Sequence, residues 1–131
     1  MKRALISVWD KTNVVELSKF LIKNNYEIIS TGGTKKLLIE NNIDVISISE
    51  ITESKEMMDG RVKTLHPKIF AGILADRCNQ SHLDDLKSIN GKTIDLIIVN
   101  LYPFEEMAAD SSISFDKLIE FIDVGGPSML R

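Results

Sequence analysis

Leu96-Ile97-Ile98-Val99-Asn100-Leu101 is the most apolar run of the chain, and its continuous Ile and Val content reads as a strand inside a parallel sheet. Three further runs read the same way: Ala4 to Val8, Glu27 to Ser30 and Val45 to Ile48. Helical spacing separates them, with apolar residues at Val14, Leu17 and Leu21 and again at Leu37, Leu38 and Ile39. Strand and helix alternate, so the pattern predicts an open, mainly parallel α/β sheet covered on both faces, with right-handed connections. Ile69 to Leu74 reads as one more strand, and Leu83 to Ile89 and Phe115 to Ile122 read as helices. No repeat, low-complexity tract or linker divides the 131 residues, which predicts a single three-layer domain over 1–131. Gly125 to Arg131 reads as a loop opening a helix capped by Ser128, after which the chain stops as if cut short.

A chain of this length buries about two-thirds of the surface its unfolded form exposes, so no staple is required. The single cysteine, Cys78, excludes an internal disulfide or a cysteine zinc cluster and agrees with a reducing cytosol. A formal charge of -3 and a pI near 5.4 argue against broad nucleic-acid binding. Polar residues return at Ser7 and Asp10, too soon for a signal-peptide core, and no apolar run approaches membrane-spanning length.

Against this acidic background, Gly60-Arg61-Val62-Lys63-Thr64-Leu65-His66-Pro67 concentrates positive charge. Arg61 offers a bidentate fork and Lys63 a movable point charge, the pair of donors an anion needs, while Val62, Leu65 and Pro67 point to partial burial. In open α/β sheets ligands bind beyond the C-terminal strand ends. Ser7, Asp10, Lys11, Thr12 and Asn13 follow the first strand there, and Thr31-Gly32-Gly33-Thr34 follows the second. The latter either brings bare backbone amides to a ligand or is an ordinary turn with Thr34 as cap; it matches neither a Walker loop nor a dinucleotide fingerprint. Asn100 and Tyr102 end the fourth strand with polar tips toward the crevice, Tyr102 alternatively packing with a wet hydroxyl. Asp123 is a helix cap or a proton-transfer carboxylate. His66 reads as a structural histidine donating to backbone before it reads as an acid or base, His82 as surface, and Met57 and Met58 as core or loop filler.

In order, SVWDK (7–11), STGGT (30–34), GRVKTLHP (60–67), NLYPF (100–104) and IDVGGPSMLR (122–131) resemble the inosine monophosphate cyclohydrolase domain of bifunctional purine biosynthesis proteins. The likeness covers nearly the whole chain and implies a methylglyoxal-synthase-like fold. It also implies a hydrolase-class reaction: formamidoimidazole-carboxamide ribonucleotide closes its second ring with loss of water to give inosine monophosphate, with no cofactor and no metal. By matching motif, Ser7, Lys11, Thr31, Gly32, Gly33, Thr34, Arg61 and Thr64 would hold the ribose phosphate and its neighbours. Asn100, Gly125 and Gly126 would line the base, with Phe104 packing behind. Lys63 would stabilise the formyl oxygen, Tyr102 would donate a hydrogen bond or proton, and Asp123 would accept or relay one. The resemblance further implies a cytoplasmic homodimer and, in the full-length protein, a transformylase domain that these residues lack. The family motif continues past Arg131 into an alanine-rich helix bearing another active-site lysine. Thr31 stands where relatives often place serine, and Trp9 adds bulk by the first loop. Two rival readings share the fold: a non-catalytic module sensing a phosphorylated metabolite, as in carbamoyl-phosphate synthetase, and methylglyoxal synthase.

Overall fold

The computed structural model describes residues 1–130. Strands β1 (Lys2–Ser7), β2 (Tyr26–Ser30), β3 (Val45–Ser47) and β4 (Leu96–Val99) form one sheet in the order β3-β2-β1-β4. Every pairing is parallel, with Leu5 opposite both Ile29 and Ile97. Central β1 buries Ala4, Leu5 and Ile6 completely.

Side chains alternate across a strand, so the sheet feeds two cores. Ala4, Ile6 and Ile28 pack with Val14 and Leu21 of α1 (Val14–Lys23) and Leu38 of α2 (Gly32–Glu40). On the opposite face Leu5 and Ile29 meet Ile48 of α3 (Ile48–Thr52), Ile69 of α4 (Pro67–Leu74) and Met129. The remaining helices are α5 (Gln80–Ser88), α6 (Phe104–Ala109), α7 (Phe115–Ile119) and α8 (Gly125–Met129). Among the described residues no helix is long and apolar enough to cross a membrane.

Several expectations need correcting. Ile69 to Leu74 is helical, because Pro67 occupies the first helical position and His66 caps it, its Nδ1 accepting the Lys68 amide at 3.1 Å. His66 is therefore structural, but as an acceptor. Ser128 lies inside α8, its Oγ donating to Val124 O at 2.7 Å, and does not cap it. Thr34 likewise lies inside α2, where Thr31 holds the N-cap position. Leu17 is on the exposed side of α1, and Ser18 takes its core place by donating to Val14 O at 2.7 Å. The most apolar run forms β4 at the sheet edge, each of its four residues only half-buried. Ile48 opens α3 instead of ending β3, since Glu50 reaches back to the Ser47 amide at 3.2 Å. Met57 and Met58 are exposed and fill no core.

Gly72 is where α4 touches the approach to β4. Its carbonyl accepts the Ile94 amide at 2.8 Å, and a Cβ there would sit 2.6 Å from Lys92 O and 3.3 Å from Ile94 Cγ1. Alanine gains about 1 kcal/mol in helix propensity but overpacks against backbone at a cost of about 1–3 kcal/mol. Gly72→Ala is therefore expected to lower the urea midpoint of unfolding, with the far-UV spectrum otherwise unchanged.

Candidate functional site

The loops beyond the β1, β2 and β4 C-terminal ends meet Gly60–Thr64 around a cleft of about 410 Å³. Ser7, Thr31, Arg61, Lys63, Thr64, Tyr102, Asp123, Gly125 and Gly126 line it. Lys11, Gly32, Gly33, Thr34 and Asn100, the other binding residues that the resemblance implies, are not among the residues lining it.

Lys63 reaches the cleft because glycine clears its path. Gly60 adopts φ +85°, and a Cβ there would stand 2.2 Å from Lys63 Cε. Gly32 adopts φ +55°, and its Cβ position lies 3.4 Å from Lys63 Nζ. Lys11 passes the neighbouring Gly33 at van der Waals distance, its Cε 3.4 Å from the Gly33 Cβ position, and its Nζ donates to Trp9 O at 2.9 Å.

Thr34 and Asn100 are committed to the first loop. Thr34 is buried and donates its hydroxyl to Val8 O at 3.0 Å. Asn100 Oδ1 accepts the Trp9 and Asp10 amides at 2.5 and 3.0 Å, and its Nδ2 donates to Asp10 O at 2.8 Å. Both hold the loop that carries Ser7 and Lys11, and neither lines the cleft.

Acidic residues that sequence patterning did not single out pair with the cations. Arg61 makes a two-pronged contact with Glu120, its Nε donating to Oε2 at 3.1 Å and its Nη2 donating to Oε1, while Nη1 lies 3.8 Å from Asp59. The Glu120 hydrogen bond raises the Arg61 pKa above its ordinary value, and the same bond lowers that of Glu120. Glu56 Oε1 accepts the Thr31 hydroxyl at 3.0 Å, and its Oε2 lies 3.6 Å from Lys63 Nζ. On an acidic surface no spacing rule separates these carboxylates from solvated ones.

Tyr102 is set among aromatics. Its ring lies 5.1 Å from Trp9 and 6.1 Å from Phe121, and Trp9 lies 5.7 Å from Phe121, all edge to face. Burial raises the Tyr102 pKa and the nearby Asp123 charge raises it further. Asp123 Oδ1 accepts the Gly126 amide at 2.9 Å, so this carboxylate both braces the start of α8 and lines the cleft. Thr64 is buried against Gly125, whose Cβ position is 3.0 Å from the Thr64 hydroxyl. Among the described residues there is no cluster of three His, Cys, Asp or Glu suited to a metal.

Residues 13–128 match the family model of the MGS-like domain. The chain belongs to the MGS-like domain family. It is 60% identical over 130 residues to the bifunctional purine biosynthesis protein PurH of Fusobacterium nucleatum, a match covering 99% of this chain and 26% of that protein. PurH of Brachyspira hyodysenteriae is 56% identical over 131 residues, covering 100% of this chain and 26% of that protein. This MGS-like chain therefore corresponds to the N-terminal region of PurH and spans about a quarter of its length. Among solved structures it is similar to ForH, with a TM-score of 0.80 and 32% identity over 98% of this chain and 65% of that one.

The Tyr102 environment yields a titration. Its phenol is expected to ionise above the ordinary tyrosine value of about 10. Asp123→Asn should bring the midpoint down without normalising it, because burial, the larger cause, remains. Phenolate absorbance, taken as the difference from Tyr102→Phe, reads this directly. The sign for stability follows: the contribution is complete below the ordinary tyrosine pKa and is lost as pH rises through the raised one.

Proposed function

We propose that this chain carries inosine monophosphate cyclohydrolase activity, closing the purine ring of formamidoimidazole-carboxamide ribonucleotide within the cytoplasm. The observation that carries the reading is the delivery of Lys63, across Gly60 and over Gly32, into one cleft with Tyr102 and Asp123. Homology to the N-terminal region of a purine biosynthesis enzyme supports it.

The reaction joins the carboxamide nitrogen to the formyl carbon of the same molecule, so positioning supplies much of the acceleration. As that C–N bond forms, the formyl C=O opens and negative charge grows on its oxygen. The Lys63 ammonium faces that charge, and the Tyr102 phenol, kept protonated by its surroundings, donates toward the same oxygen. Asp123 accepts the proton released by the attacking nitrogen. The resulting carbinolamine loses its hydroxyl as water with a further proton from nitrogen, leaving the ring C=N bond and a balanced dehydration.

Arg61, Lys11, Ser7, Thr31 and Thr64, with the amides of Gly32 and Gly33, hold the ribose phosphate and its neighbours; Gly125 and Gly126 bound the base. Thr34 and Asn100 serve by fixing the first loop. Arg61 exchanges its exposed Glu120 partner for phosphate on binding. The same reading treats residues 1–131 as part of a larger cyclohydrolase domain, in a homodimer whose full-length chains carry a transformylase domain.

The test follows ring closure by absorbance, with Lys63→Ala in parallel. Turnover by this chain should exceed the spontaneous rate, and the variant should lose about 100-fold or more. Trp9, the only tryptophan, packs on Tyr102 and should report inosine monophosphate binding by a change in fluorescence. Binding without turnover would favour a phosphometabolite-sensing module. Methylglyoxal formation from dihydroxyacetone phosphate would replace the reading with methylglyoxal synthase.

A further inference from the structure

We propose that Glu56 is a positioning residue that sets the Lys63 ammonium and the Thr31 hydroxyl from behind the cleft; its kinetic consequence rests on the cyclohydrolase reading. One carboxylate uses both oxygens. Oε1 accepts the Thr31 hydroxyl at 3.0 Å, and Oε2 lies 3.6 Å from Lys63 Nζ. Thr31 ends the β2 loop and Lys63 belongs to the segment after Gly60, so Glu56 is a cross-brace between the two loops that meet over Gly32.

Its location separates this role from ligand contact. Thr31 and Lys63 both line the cleft, whereas Glu56 does not; it lines two neighbouring grooves, one against Lys35 and Lys36 and one against Val62 and His66. Bonded to Thr31 and paired with Lys63 without lining the cleft, Glu56 exerts its pull on the ammonium from outside it. The need for such a brace follows from lysine itself, a point charge on a flexible four-carbon stem. Gly60 and Gly32 remove obstacles to Lys63 but restrain nothing, and among the described residues Glu56 is the carboxylate that pairs with it. Productive geometry requires tolerances of about 0.5 Å, which an unrestrained stem does not keep. The pair is too exposed to contribute much to stability, with Glu56 half-exposed, so its loss should register in reactivity and rate and leave unfolding unchanged.

Glu56→Gln tests this, because the amide still accepts from Thr31 while the charge facing Lys63 is gone. The first readout needs no catalysis: acylation of Lys63 by an amine-reactive ester, mapped by mass spectrometry against Lys11 as internal reference. Lys63 should react several-fold faster in the variant, and equal rates would overturn the proposal whatever the activity. The second readout is turnover, where kcat should fall about 10-fold or more, KM should change less, Glu56→Asp should recover part of the loss, and the urea midpoint should stay unchanged. An active wild type with an equally fast Glu56→Gln, or a rate loss that tracks a lowered midpoint, would also overturn it. A wild type without turnover would sink the cyclohydrolase reading alone, and the labelling rates would still decide the brace.

Discussion

Strand β1 is hydrogen-bonded in parallel to β2 on one side and β4 on the other, and Ala4, Leu5 and Ile6 are fully buried between two layers of helices. That pairing sets everything downstream. Because both neighbours run in the same direction, Ser7, Thr31 and Asn100 emerge on one edge although they lie far apart in the chain. The register is doubly constrained: Leu5 faces one core while Ala4 and Ile6 face the other, so a one-residue slip would exchange the two sets and mispack both. The candidate site inherits its geometry from this requirement.

Upon that edge the loops are held by polar side chains that a ligand need never touch. Asn100 gives its whole amide to the backbone of Trp9 and Asp10, and Thr34 gives its hydroxyl to Val8. A loop tethered at two amides and two carbonyls holds its course after Ser7, and Lys11 with it. Preorganisation of this kind matters for a dehydrative ring closure, where the attacking and accepting atoms belong to one molecule and the protein's task is to restrict rotation and stabilise charge.

The sheet was legible because a strand buried on two faces needs an unbroken apolar run, and four such runs stand out between helical spacings. Ile69 to Leu74 misleads for the same reason: Ile-Phe-Ala-Gly-Ile-Leu satisfies a strand as well as a buried helix, and only the His66 cap with Pro67 decides between them. The cationic motif at the cleft was legible because clustered basic charge stands out in an acidic chain, whereas the glycine pair alone could equally be an ordinary turn. Glu56 and Glu120 were not, since a carboxylate's role depends on which cation the fold brings to it. Asn100 was placed at the right strand end, but its direction is set by the amides of a loop some 90 residues away, information that no local pattern holds.

Each basic residue of the Gly60–Thr64 segment that lines the cleft meets a carboxylate, and the two pairs differ in a way that bears on their roles. Arg61 and Glu120 are each about half exposed and meet at the cleft wall. Under the proposed function a phosphate dianion would outbid that water-screened pair, and Glu120 would keep Arg61 oriented until replaced. Lys63 is more enclosed than Arg61 and meets Glu56, which does not line the cleft. Under the proposed function the first contact would be exchanged and the second kept, as suits an arginine that binds phosphate and a lysine aimed at the formyl oxygen.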